Sequence, residues 1–134
     1  MRILLAEDQA MVRGALAALL GLTCDFQITQ AADGDQALAL LKQQDFDLLL
    51  TDIEMPGRTG LELALYLQQQ QSKIKVIVIT TFGRSGYIQR AIAAGVQGFL
   101  LKDAPSDQLV QAIYQVMAGK RVIDAELALS ALGE

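Results

Sequence analysis

Five short runs rich in leucine, isoleucine and valine recur along the chain, at Arg2–Ala6, Gln27–Ala31, Asp47–Thr51, Val76–Thr80 and Gly98–Leu101. A helix-length segment follows each: Gln9–Leu20, Asp35–Lys42, Gly60–Gln69, Gly86–Ala94 and Pro105–Ala118. This alternation constrains the fold more than any other feature. Most of the runs are continuously apolar rather than alternating, the pattern of strands covered on both faces. Such strands need helices above and below, and right-handed crossovers put them there. The expected class is therefore α/β, a (βα)5 chain wound on both sides of a parallel five-stranded sheet. Turn signals fall between the elements: "ADGD" after the second strand, "MPG" after the third, "AAGV" closing the fourth helix and "AP" opening the fifth.

A chain of 134 residues, 52% hydrophobic and 19% charged, has enough apolar material for one packed domain. No apolar run approaches the roughly 18 residues a membrane span needs, and "MRILLAED" turns acidic too early for a signal sequence. A cytoplasmic protein with no membrane partner is expected. Cys24 stands alone, so no internal disulfide forms, and it reads as a small apolar filler. The absence of histidine excludes Ser-His-Asp and Cys-His catalysis, histidine-ligated zinc and a histidine phosphocarrier. A net charge of −4 with 11 scattered basic residues argues against direct nucleic-acid binding by this segment. Residues 1–119 read as the domain. Residues 120–134 read as a linker or short sixth helix, with Asp124 as its N-cap and Leu127, Leu129 and Leu132 as its apolar set.

In an open sheet of this type the ligand site lies beyond the carboxyl ends of the strands. Glu7 and Asp8 follow the first run, Asp52 the third, Thr80 ends the fourth and Lys102 follows the fifth. Each alone has an ordinary reading. Asp8 suits a helix cap, Asp52 a Pro-Gly turn, Thr80 a strand, and Lys102 a solvated surface. Their arrival on one rim is what separate capping roles do not account for.

Two carboxylates about 4 Å apart repel by roughly 4 kcal/mol at an effective dielectric near 20, so three of them call for a cation. Oxygen ligands without His or Cys, in a site with room for water and a phosphoryl oxygen, suit Mg²⁺ better than a full Ca²⁺ cage. Lys102 adds a positive charge that pairs with Asp52 or with a phosphate. A carboxylate beside Mg²⁺, an amine and a hydroxyl has the parts for phosphoryl transfer onto its own oxygen. Asp52 is the expected acceptor.

The pieces "ILLAED", "DLLLTDIEMPGRTGLEL", "VIVITTF" and "GFLLKD" together resemble the receiver domain of bacterial two-component response regulators, over nearly the whole chain. "TTFGRSGY", "AIAAGVQGFLLKDAP" and "MAGKRVIDAELALSAL" resemble in particular the NarL/FixJ family, including regulators of the DesR kind. The resemblance implies a flavodoxin-like sheet of order 2-1-3-4-5. It implies Asp52 as phosphoacceptor, with Mg²⁺ held by Glu7, Asp8, Asp52 and the main-chain carbonyl of Glu54. Thr80 would bond the phosphoryl oxygen and Lys102 neutralise it. Thr80 and Phe99 would be the switch pair, the ring turning into space that the threonine vacates. Glu54 and Phe82 would flank the path of the hydrolytic water, an apolar ring at Phe82 lengthening the phosphate lifetime. Two positions depart from the common pattern. Asp103 rather than proline follows Lys102, so no cis peptide is expected there, and Thr81 stands where many receivers carry a smaller residue.

The implied partners are a cognate histidine kinase and a second copy of the chain. The first helix is apolar over a wide arc with Arg13 its only charge, and the fifth is similarly broad. A phosphorylation-strengthened homodimer through both is expected, on a face of Met11, Ala15, Leu19, Leu109, Ile113 and Val116. The competing surface is the fourth helix, fifth strand and fifth helix, with Arg84, Tyr87 and Arg90. DNA contact is expected only through a C-terminal domain absent from this chain, controlled by the receiver; a single-domain receiver acting by protein contact is the alternative. The chain is not expected to be an enzyme beyond accepting and slowly releasing its own phosphate. A Mg²⁺-dependent aspartyl-phosphate phosphatase is the enzyme alternative, since Glu54 sits at the offset of its general acid, but no cap segment encloses a substrate. A flavin binder would need a Ser/Thr/Gly-rich loop where "AEDQAMV" stands. A purely structural domain would require that Asp52 take no phosphate.

Overall fold

The computed structural model describes residues 1–22, 26–53, 55–80, 85–102 and 105–124. Its elements run β1 (Arg2–Ala6), α1 (Ala10–Gly21), β2 (Gln27–Ala31), α2 (Gly34–Gln43), β3 (Leu48–Asp52), α3 (Gly60–Gln69), β4 (Lys75–Thr80), α4 (Ser85–Ala93), β5 (Gly98–Leu101), α5 (Ser106–Met117) and β6 (Val122–Ile123). The strands pair in parallel in the order β2-β1-β3-β4-β5-β6. The five-strand order is as expected, and a short sixth strand extends it.

Side chains alternate across a strand, so each apolar run feeds two cores. Leu4, Ala6, Leu49, Val76, Val78 and Phe99 pack with Leu63, Ala64, Leu67, Ile88 and Ala91, from α3 and α4. Ile3, Leu5, Leu48, Leu50, Ile77, Ile79 and Leu100 pack on the opposite face with Leu20, Leu109, Ala112, Ile113 and Val116, from α1 and α5. This explains the continuous hydrophobicity of β1, β3 and β4. β2 is an edge strand and only its last residue, Ala31, is buried.

Local signals set the helix starts. Asp33 caps α2 by accepting from the Gln36 N–H at 2.8 Å. Thr59 and Glu62 form a reciprocal capping box on α3. α1 starts at Gln9 without a side-chain cap, so Asp8 is not spent on capping.

Within the expected linker or sixth helix, Val122–Ile123 form the short strand β6: Val122 donates to the Gln97 carbonyl, Asp124 to that of Phe99, and Ile123 lies in register with Phe99. The Asp124 carboxylate accepts from Gln108 Nε2 at 3.1 Å, and the helix expected after it, with Leu127, Leu129 and Leu132, lies outside the described residues. One expectation is corrected, the α5 half of the dimer face. Leu109, Ile113 and Val116 are 6%, 0% and 0% exposed because their stripe is the one laid on the sheet. On α1, Met11 and Ala15 are exposed and Leu19 is half-buried.

Candidate functional site

β1 and β3 are adjacent, and each ends in a carboxylate at the same edge of the sheet. Glu7 continues the β1–β2 ladder by one bond, its N–H donating to the Ala31 carbonyl at 3.1 Å, which carries its side chain inward. Asp52 closes β3. Gly60 packs so closely behind it that a Cβ there would lie 2.3 Å from the Asp52 carbonyl oxygen. Gly57, at φ +78, bends the Met55–Arg58 segment away from the rim, a backbone state that favours glycine.

The structure gathers Glu7, Asp8, Asp52 and Lys102 into one pocket. Carboxylate oxygens of the three acids all lie within 4.8 Å of one another. Glu7 is fully buried, Asp52 and Thr80 nearly so, and Asp8 is exposed at the mouth. Lys102 Nζ reaches Glu7 Oε1 at 2.6 Å and Asp52 Oδ2 at 2.9 Å. Its backbone N–H donates to the Thr80 carbonyl at 2.7 Å, tying the ends of β4 and β5 together beside the acids. Glu7 Oε2 accepts from the Gln9 N–H at 2.9 Å, and Arg13 Nη1 donates to the Glu7 main-chain carbonyl at 2.8 Å.

Burial is the main cause that raises the Glu7 carboxyl above its usual range, with Asp8 and Asp52 adding to it against the Gln9 and Lys102 bonds. For Lys102, burial is the largest influence and opposes the charge, but its bonds to Glu7 and Asp52 together outweigh it and hold the ammonium above its ordinary value.

The pocket fits a hard divalent cation. Glu7 Oε1 is buried and, apart from the lysine contact, has no aligned hydrogen-bond donor. Three oxygen donors from different backbone positions lie within 4.8 Å of one another, and the one ammonium among them contacts only Glu7 and Asp52. An all-oxygen set of this kind suits Mg²⁺. With Oδ2 of Asp52 taken by Lys102, lone pairs remain on Oδ1, and the side chain is 10% exposed at the rim.

The family model described as "Response regulator receiver domain" matches residues 3–114. This chain is a response regulator receiver domain. The receiver is 48% identical over 126 residues to the transcriptional regulatory protein DesR of Bacillus subtilis (strain 168), covering 93% of this chain and 62% of that protein. It is 44% identical over 130 residues to the uncharacterized transcriptional regulatory protein YvfU of the same strain, covering 96% and 65%. The chain thus spans less than two thirds of these relatives. Among solved structures, a LuxR-family DNA-binding response regulator from Staphylococcus aureus superposes with TM-score 0.83 at 37% identity, over 87% of this chain and 98% of that one. A LuxR-family two-component response regulator from Aurantimonas sp. SI85-9A1 superposes with TM-score 0.90 at 26% identity, over 98% and 95%. The receiver is therefore of the NarL/LuxR type, a family of transcriptional regulators not classed as enzymes. Its acidic cluster is of the kind that serves receivers as a Mg²⁺ site. No helix among the described residues is long and apolar enough to cross a membrane.

Phe99 lies on β5 with its ring buried in the core shared with Val78, Ile88 and Ala91. Arg90 is exposed on α4. Glu54, Phe82, Thr81, Arg84, Cys24, Asp103 and the side chain of Tyr87 lie outside the described residues. The roles expected of the first two, and the peptide bond after Lys102, are therefore not part of this geometry. The Arg13 bond to the Glu7 carbonyl was missed in the sequence, where Arg13 registers only as the lone charge of α1.

Proposed function

We propose that this receiver accepts a phosphoryl group on Asp52 from a phosphohistidine of a sensor kinase, and that the modified state controls a transcription-regulating segment beyond residue 134. The observation that carries this reading is Asp52 at a strand end, its Oδ2 on Lys102 and its oxygens within 4.8 Å of those of Glu7 and Asp8. In the transfer the histidine N–P bond breaks, an O–P bond forms on Asp52, and the imidazole leaves with the bonding electron pair. Glu7, Asp8, Asp52 and the Glu54 carbonyl would hold Mg²⁺, which when bound supplies charge neutralisation for the transferring oxygens. Asp52 supplies the nucleophilic oxygen. Lys102 orients it through Oδ2 and is placed to neutralise the added charge. Thr80, at the end of β4 beside Lys102, is the hydroxyl for a phosphoryl oxygen, and Phe99 on the next strand is its switch partner. DNA contact belongs to a segment outside this chain, in keeping with the transcriptional role of DesR.

The experiment is Phos-tag electrophoresis after acetyl phosphate and Mg²⁺, with Asp52→Asn as control. A shifted band that needs both Mg²⁺ and Asp52 is expected; an equal shift in Asp52→Asn overturns the assignment. Dimerisation on phosphorylation is proposed through α1, whose Met11 is 89% exposed and whose Ala15 and Ala18 continue the same stripe. Light scattering with and without beryllofluoride and Mg²⁺ tests it, and a monomer in both conditions overturns it.

A further inference from the structure

The single cation of α1 forms no ion pair with the acids of the rim among the described residues. Arg13 makes no ion pair within 4 Å among the described residues, and its Nη1 donates at 2.8 Å to a neutral acceptor, the main-chain carbonyl of Glu7. That carbonyl lies in the peptide plane that joins Glu7 to Asp8. A peptide unit is rigid, so fixing the direction of its carbonyl fixes where the Asp8 Cα sits, the point from which its side chain starts. The same residue is pinned on its other sides. The Glu7 N–H is on Ala31, Oε2 is on the Gln9 N–H and Oε1 is against Lys102. The peptide plane after Glu7 is held by none of these bonds, and Arg13 holds it from the end of the first turn of α1. The start of α1 has no side-chain cap of its own to do so.

We propose that Arg13 is a positioning residue for the cation site: its guanidinium sets the Glu7–Asp8 peptide so that a buried carboxylate and a rim carboxylate converge with Asp52. This inference rests on the pocket being a Mg²⁺ site. Two simpler roles for Arg13 make different predictions. If it only anchored α1, its loss would lower stability and leave cation affinity alone. If it acted only as a nearby positive charge, its loss would make Mg²⁺ bind more tightly, because a repulsive charge would be gone. Positioning predicts weaker binding, in the range by which removing a partner that orients a metal ligand lowers affinity, about tenfold or more.

The test is a Mg²⁺ titration of the full 134-residue chain followed by ¹H–¹⁵N NMR at the Glu7, Asp8, Gln9 and Asp52 amides, with thermal melts by circular dichroism in parallel. Arg13→Ala is expected to raise the Mg²⁺ Kd about tenfold. Arg13→Lys keeps a cationic N–H donor of similar reach, and is expected to stay within about threefold of the unmodified chain. An Arg13→Ala Kd that is unchanged or lower overturns the proposal, as does an Arg13→Lys Kd raised as far as that of Arg13→Ala. If Arg13→Ala fails to fold, Arg13→Lys is compared with Arg13→Met, and equal Kd values overturn it. If the unmodified chain shows no Mg²⁺-dependent shift, the cation site itself is refuted and the role of Arg13 with it; Mg²⁺ binding that is insensitive to Arg13 refutes only the latter.

Discussion

Replacing Lys102 by methionine removes the ammonium and keeps most of the stem volume. Lys102 Nζ lies 2.6 Å from Glu7 Oε1 and 2.9 Å from Asp52 Oδ2, and the three side chains are 11%, 0% and 10% exposed. Without it, two nearly buried carboxylates are left with oxygens no more than 4.8 Å apart. At that separation and an effective dielectric near 20 they repel by about 3.5 kcal/mol. Removing one partner of a buried pair costs about 3 to 5 kcal/mol, which describes the same loss from the other side. Protonation of Glu7 is the escape. It costs an ordinary glutamate about 1.4 kcal/mol per pH unit above its usual value, so about 3.5 kcal/mol at pH 7 and about 1 kcal/mol at pH 5. The Lys102→Met chain in EDTA should therefore lose about 3 kcal/mol at pH 7 and about 1 kcal/mol at pH 5. Urea unfolding followed by far-UV circular dichroism measures both, since the midpoint moves with stability at constant slope. In an Asp52→Asn background the same substitution should cost at least about 1 kcal/mol less, because the repelling partner is gone. Mg²⁺ should restore part of the loss by binding the folded chain only, about 2.7 kcal/mol at a hundred times its Kd. A loss at pH 7 below about 1 kcal/mol, or an equal loss at both pH values, would refute the view that Lys102 balances these two acids.

Three further outcomes are expected. Because the Glu7 carboxyl is raised, the folded apo chain holds that proton more tightly than the unfolded chain, so this group contributes stability at low pH that is lost as pH rises through its folded value. Mg²⁺ must displace the same proton, so its affinity should fall as pH is lowered from about 8 to about 5, and calorimetry in buffers of different ionisation enthalpy should show proton release at the acid end; a pH-independent Kd contradicts it. Gly60→Ala places a Cβ 2.3 Å from the Asp52 carbonyl oxygen and 3.2 Å from Ile53 Cα, backbone atoms that cannot swing aside. It should cost about 1 to 3 kcal/mol in urea unfolding and slow phosphorylation from acetyl phosphate, and an unchanged midpoint contradicts the close approach. Phe82→Ala should release phosphate from Asp52 faster in a single-turnover decay, and an unchanged rate removes the tuning role of that ring.

The strands that place the site were legible because each is buried on both faces. β1 at Arg2–Ala6 and β5 at Gly98–Leu101 have the bounds read from the sequence, and Glu7, Asp8 and Lys102 sit directly after them. Chain order alone then brings the carboxylates of β1 and β3 together, since these strands are neighbours in any sheet ordered 2-1-3-4-5. Periodicity was less informative where two faces compete for the same residues. The α5 stripe of Leu109, Ala112, Ile113 and Val116 has the spacing of a partner face and equally of a sheet face, and only the packing on β4 and β5 decides for the second. α1 keeps apolar residues beyond what the sheet covers, which is why Met11 stays exposed. β6 has two residues preceded by Lys120 and Arg121, too short for any pattern to register.

The least legible feature is the most local one. A side chain that bonds a main-chain carbonyl selects no partner residue, so nothing at Glu7 announces Arg13. The carboxylates could be placed from strand ends alone, but the angle at which they meet is set by one peptide plane, and that plane is held by a residue six positions on. In this site, residue identity determines which atoms reach the rim, and a hydrogen bond to the backbone determines whether they converge on one point. A chain with Glu7, Asp8 and Asp52 intact but no N–H donor of that reach at position 13 should therefore keep the fold and the charge cluster while binding its cation less well.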